Sequence, residues 1–480
     1  MAQAHATLPP EKENAVAVAT RADDIIRIDA GSVRLTLPPV LETLQFDDVV
    51  IDSREVEPGD LFVALPGERT DGHQFIGDAF KQGAVAALVR RDWEQDEGAS
   101  IGHGPLIRVD DPLETLQVLA ARHRARFELP VIGITGSVGK TSTKESVAAV
   151  LRQKYATLAS LKSFNNEIGV PLTLLRLRQE HQAAVLEIGT YGPGEIAHLC
   201  ALARPNIGIV TNVGPSHLER MGTLDTVARA KSELPAALPS HGLALLNGDD
   251  PRVHAMDQVT EARTLFFGLG PGNDLRAEAV TSRGLEGLAF TLHGEGNQHR
   301  IESPLMGRHN IYTVLAAIGA ARALQMDWDT IQAGLNDTST QVRLIRRRAF
   351  NGATVLDDTY NASPASCQAA LDLLAELPGR HVAVFGDMAE LGPQEVEGHR
   401  AVGIAAAPVV ELLVVVGAKA RLTGEAASRT ADPPEVLFTD SNAEASALLR
   451  DHIRPGDVVL VKGARVAATE EIVAALQVDA

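Results

Sequence analysis

The sequence has little cysteine, a deficit of positive charge and no long hydrophobic run. It has two cysteines, Cys200 and Cys367, which are too few for a disulfide framework and are not spaced like metal ligands. We therefore expect the protein to be located in the reducing cytoplasm. The 62 acidic residues outnumber the 44 basic ones, and the formal net charge of −18 argues against binding to nucleic acid or to anionic membranes. Because no apolar run reaches the length of a membrane span, we expect no membrane insertion.

The hydrophobic content is sufficient for several cores. Hydrophobic residues make up 45% of the 480 residues and charged residues 22%, which is ordinary for a globular protein. At roughly 150 residues a domain, this length predicts about three domains. Residues 1–24 are Ala-rich and polar, without a signal-peptide core, and we interpret them as a flexible tail. No association element stands out, so we expect a monomer.

The spacing of short apolar runs predicts an α/β protein. Between residues 25 and 125, β-rich runs surround one helix candidate, "GHQFIGDAFKQG", and indicate a small α/β domain. Residues 126–336 alternate strand and helix candidates, which indicates a parallel sheet covered by helices on both faces. Residues 337–480 alternate in the same way and predict a smaller, doubly wound, Rossmann-like domain.

A glycine-rich segment, "VIGITGSVGKTSTKES" at residues 131–146, points to nucleotide chemistry. It lies between a strand candidate and a helix candidate, the setting in which backbone N–H groups and a helix N-terminus bind phosphate. The strict Walker pattern needs glycine where Ile134 stands; the glycines occur one residue earlier and two residues later. We predict that Lys140 neutralises nucleotide phosphates and that the Thr141 hydroxyl binds Mg²⁺. The alternative is a glycine turn capped by Ser or Thr.

Polar side chains follow two further strand candidates. Glu187 ends the run "AAVLE", and His217 follows "NIGIVTNV". Because ligands bind at the carboxyl ends of strands in an open α/β sheet, both residues should face the same crevice as Lys140. A carboxylate, an imidazole and phosphate oxygens are suitable ligands for Mg²⁺. The alternatives are a helix-capping Glu187 and a merely hydrogen-bonded His217.

The string "TGSVGKTSTKE" resembles the ATP loop of the Mur ligase family, whose form is T-G-x-x-G-K-T/S. The resemblance extends over nearly the whole chain beyond the tail, through "DSREVEPGDLFVALPGERTDGHQFIGDAFKQGA", "NNEIGVPLTLL", "DDTYNASPAS", "VFGDMAELG" and "GDVVLVKGAR". It implies an N-terminal UDP-substrate-binding domain at 25–125, a central P-loop-type ATPase domain at 126–336 and a C-terminal Rossmann-like ligase domain at 337–480.

The resemblance also implies an ATP-dependent, amide-forming ligase of peptidoglycan precursor synthesis. The "DDTYNASP" and "GDMAELG" strings are most similar to the member that joins D-alanyl-D-alanine to UDP-N-acetylmuramoyl-tripeptide. Its implied partners are those two compounds, with ATP and Mg²⁺. The alternatives are a Mur-type ligase with another amino-acid or peptide acceptor, such as a folylpolyglutamate synthase, and an ATP-binding homologue without catalysis.

Individual residues acquire implied roles from the same resemblance. The positions that resemble ATP-binding residues are Gly136, Ser137, Gly139, Lys140, Thr141, Ser142, Asn310 (adenine), Arg343 and Asp358 (phosphate and ribose). Those that resemble the catalytic set are Lys140, Glu187, His217 and Lys231, and the metal-associated ones are Thr141, Glu187, His217 and Lys231. Those assigned to substrates are Ser53 and Arg54 (uridine nucleotide), Asn165, Asn166, Tyr360 and Asn361.

Lys231 matches a lysine that is carbamylated in several members of the family. A carbamate would turn the amine into a carboxylate-like metal ligand, suited to a second Mg²⁺. The alternative is an exposed helix lysine.

Three motifs depart from the family pattern. Gly189-Thr190-Tyr191 stands where G-A-N is expected, Val342 replaces the glycine before Arg343, and Ala464 replaces the serine of K-G-S-R. These departures bear on the choice of substrate more than on the use of ATP.

Overall fold

The computed structural model describes residues 26–28, 31–33, 38–67, 70–94, 104–161, 163–215, 218–337, 339 and 344–477, so the predicted tail lies outside the described residues. The chain divides into two units. The first contains the residues up to 128 together with 164–179 and 201–203, and the second contains 129–163, 180–200 and the residues from 204 onward. The boundaries of the three sequence-based domains remain a prediction.

Strands and helices alternate through both units, which confirms the predicted α/β class. The described strands are β1 (Ile26–Ile28), β2 (Gly31–Val33), β3 (Val49–Val50), β4 (Leu61–Val63), β5 (Ala86–Arg90), β6 (Leu106–Val109), β7 (Val131–Thr135), β8 (Thr157–Ala159), β9 (Ala183–Glu187), β10 (Ile207–Val210), β11 (Leu243–Asn247), β12 (Arg263–Gly268), β13 (Leu275–Ser282), β14 (Leu288–Gly294), β15 (Asn297–Ser303), β16 (Ile345–Arg348), β17 (Thr354–Asp358), β18 (His381–Gly386), β19 (Leu412–Val416), β20 (Glu435–Thr439) and β21 (Val458–Lys462). The described α-helices are α1 (Pro39–Thr43), α2 (Ile76–Gln82), α3 (Pro112–Arg124), α4 (Lys140–Arg152), α5 (Gly169–Leu175), α6 (Glu195–Ala203), α7 (Leu218–Met221), α8 (Leu224–Ala236), α9 (Pro251–His254), α10 (Asn310–Ala323), α11 (Trp328–Leu335), α12 (Pro364–Ala375), α13 (Glu395–Ala406), α14 (Arg421–Ala427), α15 (Asn442–His452) and α16 (Glu470–Leu476). Among the described helices, none combines the length and the apolar composition needed to cross a membrane.

The first unit is built on a parallel sheet of the order β3-β4-β5-β6. Strands β3, β4 and β5 lie in the predicted β-rich runs, and α2 lies in the one predicted helix segment. The sequence pattern did not predict β6 or the longer helix α3. Phe62, Ile76 and Val89 are buried in the core of this sheet. Helix α3 begins after Asp111, whose carboxylate accepts hydrogen bonds from the first free backbone N–H groups of the helix.

The second unit contains a larger sheet of the order β15-β14-β13-β12-β11-β10-β7-β9-β8 within the described residues. The strands from β8 to β13 are parallel, as predicted, whereas β14 and β15 are antiparallel. Strand β14 lies in "GLEGLAFTLHG", a segment whose pattern indicates a β-hairpin element. Only Glu295 and Gly296 connect β14 to β15, and both have positive φ, as in the tight turns typical of hairpins. So short a connection cannot cross over the sheet, so the chain must turn back on itself.

Helices α4 and α10 share one hydrophobic core with this sheet. The helical period of residues 141–155 predicts one buried stripe of Val147, Val150, Leu151 and the stem of Lys154. The three apolar residues are fully buried, whereas Lys154 is exposed. Helix α10 is buried on most of its surface, from Ile311 to Ala321. These contacts fix the N-terminus of α4, and with it the glycine-rich loop.

The C-terminal part of the second unit forms a sheet of the order β16-β17-β21-β18-β19-β20, parallel except for the edge strand β16. The predicted alternation of strands and helices is confirmed, with one addition. The sequence pattern did not predict α14, which connects β19 to β20. Its seven residues are too few to display a clear helical period.

Candidate active site

The glycine-rich loop connects the carboxyl end of β7 to the N-terminus of α4. Gly136 and Gly139 both have positive φ, at 144° and 87°. A Cβ atom on Gly136 would lie 1.9 Å from the hydroxyl oxygen of Thr211, whereas one on Gly139 would have no atom within 4 Å. Gly139 precedes Lys140, the first residue of α4, so the backbone N–H groups of that helix end face the loop. Ser137 and Ser142, predicted to bind ATP, are both half-buried here.

The residues after β10 hold the glycine-rich loop in place through hydrogen bonds. Thr211 Oγ1 donates to the carbonyl oxygen of Val138 at 2.7 Å, and Asn212 makes hydrogen bonds to both the N–H and the carbonyl of Val138. Ser137 Oγ donates to the carbonyl oxygen of Gly214 at 2.9 Å. Strands β7 and β10 are neighbours, so their carboxyl ends lie together and allow this bracing.

We predict that Gly136→Ala destabilises the protein far more than Gly139→Ala. The added methyl group at position 136 would collide with Thr211 and force the loop to move, at a cost of about 3 kcal/mol. At position 139 only the positive φ is unfavourable, which costs about 1 kcal/mol. Urea unfolding of the two variants measures the difference, and equal losses would contradict the described loop geometry.

Lys140 is held by the loop that precedes it. Its Nζ donates to the carbonyl oxygen of Gly136 at 2.7 Å and to that of Ser137 at 3.3 Å. The ammonium group therefore lies against the glycine-rich loop, at the helix end that favours anions.

Thr141 and Glu187 meet at the adjoining strand ends. Thr141 Oγ1 donates to Glu187 Oε2 at 2.9 Å, and both side chains are buried. The backbone N–H of Glu187 donates to Ser160 Oγ at 3.2 Å, so the strand end is itself anchored. Glu187 lies at the carboxyl end of β9, and it does not cap a helix through this contact.

Lys231 lies inside the second unit and not on its surface. It is 1% exposed, on α8, so the alternative of an exposed helix lysine is wrong. Burial lowers the pKa of its amine well below the usual value, and the charge of Lys140 lowers it further, while Glu233, Glu187 and Glu195 act in the opposite direction. These electrostatic interactions place the Lys231 amine near Lys140 and Glu187.

The hydroxyl of Thr141 and the carboxylate of Glu187 are hard oxygen donors, the kind that Mg²⁺ prefers. Both belong to the same buried contact, so the residues present fit a magnesium ion. The described residues contain no group of three or more His, Cys, Asp or Glu side chains arranged for a metal. His217 lies outside the described residues, and so does Arg343.

The predicted adenine and ribose residues lie in different elements of the second unit. Asn310 begins α10 and is buried, with its amide nitrogen donating to the carbonyl oxygen of Met306 at 2.7 Å. Asp358 ends β17 and forms a buried ion pair with Lys462. Tyr360 is half-buried and Asn361 is exposed in the turn that follows.

Four further residues predicted to bind substrate, Ser53, Arg54, Asn165 and Asn166, belong to the first unit. Ser53 is buried, and the exposed Arg54 pairs with Asp52, which lowers the pKa of that carboxyl group. Asn165 and Asn166 are half-buried, and Asn166 Oδ1 accepts a hydrogen bond from the N–H of Gly169 at 2.9 Å. Asn166 therefore also stabilises the start of α5.

The sequence pattern missed two glutamates that order the segment after Glu187. Glu195 accepts hydrogen bonds from the N–H of Tyr191 and the hydroxyl of Thr190, and Glu233 accepts from the N–H of Gly194 at 2.6 Å. Both therefore fix the segment that departs from the family pattern. Glu233 stands two residues after Lys231, but nothing in the sequence connects it to position 194.

Comparison with known families gives three matches along the chain. The Mur ligase family catalytic domain matches residues 45–124, the Mur ligase middle domain matches 134–321, and the Mur ligase glutamate ligase domain matches 342–465. Together these matches span most of the sequence.

Individual relatives agree with these matches. The UDP-N-acetylmuramoyl-tripeptide–D-alanyl-D-alanine ligase of Escherichia coli (strain K12) is 39% identical over 441 residues, covering 90% of this chain and 94% of its own length. The crystal structure of MurF from Acinetobacter baumannii has a TM-score of 0.78 at 30% identity, covering 90% of this chain and 93% of its own. MurF ligase from Thermotoga maritima in complex with ADP has a TM-score of 0.75 at 27% identity, covering 89% and 96%.

Proposed function

Because this chain belongs to the Mur ligase family, we propose that it is an ATP-dependent ligase that joins D-alanyl-D-alanine to UDP-N-acetylmuramoyl-tripeptide. The observation that carries the proposal is the grouping of Lys140, the Thr141–Glu187 contact and the buried Lys231 at the strand ends beside the glycine-rich loop. Relatives that share over 30% identity along nearly their whole length support the choice of substrates.

The chemistry proceeds in two steps. The terminal carboxylate of the tripeptide attacks the γ-phosphorus of ATP, which forms an acyl phosphate and releases ADP. The amine of D-alanyl-D-alanine then attacks the acyl carbon, and the tetrahedral intermediate loses inorganic phosphate to leave the new amide bond. The protein needs mainly to position the reactants and neutralise their charge, because both first-step reactants are anions.

Lys140 would neutralise the transferring phosphate, with the α4 N-terminus contributing its positive end. Thr141, Glu187 and His217 would hold Mg²⁺, which supplies positive charge to the phosphate oxygens when bound. Gly136, Ser137, Gly139 and Ser142 would form the backbone cradle of the loop. Asn310 would contact adenine.

Lys231 would act as a carbamate. Its buried amine has a lowered pKa and therefore keeps the lone pair that attack on carbon dioxide requires. The carbamate would carry a negative charge toward a second Mg²⁺.

The remaining assignments complete the proposal. Residues 25–125 would bind the uridine nucleotide through Ser53 and Arg54, and Asn165 and Asn166 would lie nearer the peptide. Residues 126–336 would bind ATP. Residues 337–480 would contribute Arg343, Asp358 and the turn of Tyr360 and Asn361. We expect a cytoplasmic protein, since UDP-linked precursors and ATP are water-soluble, and a monomer, since no association element stands out in the sequence.

We predict that phosphate release from ATP requires both UDP-N-acetylmuramoyl-tripeptide and D-alanyl-D-alanine. The acyl phosphate turns over only when an amine attacks it, so omission of either substrate should abolish steady release. Phosphate is measured by a coupled assay and the product by mass spectrometry, over a panel of tripeptides and acceptors. Release with a different acceptor would indicate another Mur-type ligase, and ATP binding without release under any pair would indicate a non-catalytic homologue.

A further inference from the structure

The carboxyl ends of β17 and β21 carry a buried ion pair whose lysine has no role in the chemistry above. Asp358 and Lys462 are register partners in these adjacent parallel strands, and their side chains are 6% and 0% exposed. Lys462 Nζ donates to Asp358 Oδ2 and also to the carbonyl oxygen of Asn361, at 2.9 Å. One ammonium group therefore ties the strand end to the turn that follows it.

Stability alone does not account for this pair. Taking two charges out of water is costly, and apolar residues of similar volume are often as stable in such a position. The two oxygens of Asp358 are also used differently. Oδ2 accepts from Lys462, whereas Oδ1 accepts no hydrogen bond from any described residue. The neighbouring Asp357 instead accepts from the hydroxyl of Thr359, within its own turn.

We infer that Lys462 is a positioning residue of the ligase. It holds Asp358 through Oδ2, so that Oδ1 is directed to a ribose hydroxyl of the nucleotide. Through the Asn361 carbonyl it also fixes the turn that carries Tyr360 and Asn361 for the acceptor dipeptide. Lys462 touches neither substrate. The inference rests on the proposed function, in which Asp358 contacts ATP and this turn meets the dipeptide.

Lys462→Met tests the inference in the full chain, because it keeps the length of the side chain and removes both hydrogen bonds. We expect ADP to bind about tenfold more weakly in calorimetry, and KM for ATP and for D-alanyl-D-alanine to rise about tenfold. KM for the UDP-linked tripeptide should change less than about twofold, because Ser53 and Arg54 belong to the first unit. The matched control is Lys419→Met, which breaks the more exposed ion pair between Lys419 and Glu395. In this variant the ADP affinity and the three KM values should stay within about twofold of the wild-type values.

A double variant, Asp358→Asn with Lys462→Met, separates positioning from folding. The single variant leaves a carboxylate buried without its cation, whereas the double variant is neutral and should recover stability toward urea. The inference requires ADP affinity and the KM for the dipeptide to stay impaired in the double variant. The inference is overturned if the ADP affinity and the KM for the dipeptide both recover together with stability in the double variant. It is also overturned if Lys462→Met binds ADP like the wild type, or if the double variant does not fold.

ADP calorimetry needs no ligation, which keeps the two proposals distinguishable. A wild-type protein that binds ADP but forms no pentapeptide product contradicts the proposed ligase function. Wild-type ligation with Lys462→Met kinetics like those of the wild type contradicts only the role of Lys462.

Discussion

Replacing Lys140 with alanine is expected to lower kcat for ligation by at least about a hundredfold while leaving the fold intact. The ammonium group lies against the Gly136 and Ser137 carbonyls, at the helix end where the transferring phosphate would bind. Its loss removes positive charge from the step in which two anions react. The fold should survive, because the side chain is only half-buried and donates hydrogen bonds to two carbonyl oxygens of the adjacent loop.

The measurement is a phosphate-release assay with all three substrates, paired with urea unfolding. The free energy of unfolding should change by less than about 1 kcal/mol. Lys154→Ala is the matched control, because Lys154 follows the same helix but is exposed, with a long contact to the carbonyl oxygen of Gln325 and a position over the Tyr155 ring. Near-normal turnover of Lys140→Ala would refute the assignment of the glycine-rich loop to ATP.

Replacing Lys231 with alanine is expected to lower kcat by at least about a hundredfold, with partial recovery in acetate or propionate. Alanine leaves a cavity where the buried lysine stood, and a short carboxylic acid can enter it and supply the charge of the lost carbamate. Recovery should rise with acid concentration and reach a plateau. The measurement is ligation rate against acid concentration at fixed pH and ionic strength.

Lys231→Met is the matched control for this rescue. Methionine fills most of the space and suits a buried site, so this variant should fold well but gain nothing from acetate. For wild-type protein, labelled bicarbonate should give a carbon NMR signal of a carbamate that is missing from both variants. Wild-type activity in Lys231→Ala, or equal rescue of both variants, would remove the carbamate from the mechanism.

Much of the fold follows from local patterns. Apolar runs predicted the parallel strands β7, β9, β10 and β11 of the large sheet, and the helical period predicted the burial of Val147, Val150 and Leu151 on α4. The segment "GLEGLAFTLHG" indicated a β-hairpin element, and the structure places β14 there, antiparallel to β13 and β15. Helix α14 was missed because it is short.

The candidate site divides in the same way. The loop and its position between a strand and a helix could be predicted, because both depend on neighbouring residues. The sequence could not decide whether Lys231 is exposed or buried, because the local sequence pattern around a helix lysine is the same in both situations. Nor could it connect Thr211 to Gly136, or Glu233 to Gly194, which are far apart in the chain.

By itself the sequence determined that this is an α/β protein with a glycine-rich loop of the Mur ligase form at 131–146, because glycine spacing and apolar period are properties of contiguous residues. Only the tertiary structure decided that Thr141 meets Glu187, that Lys231 is desolvated, and that Lys462 holds Asp358. The physical reason is that desolvation and short polar contacts depend on which strand ends lie side by side in the sheet. The order of the strands in the sheet cannot be predicted from any local sequence pattern.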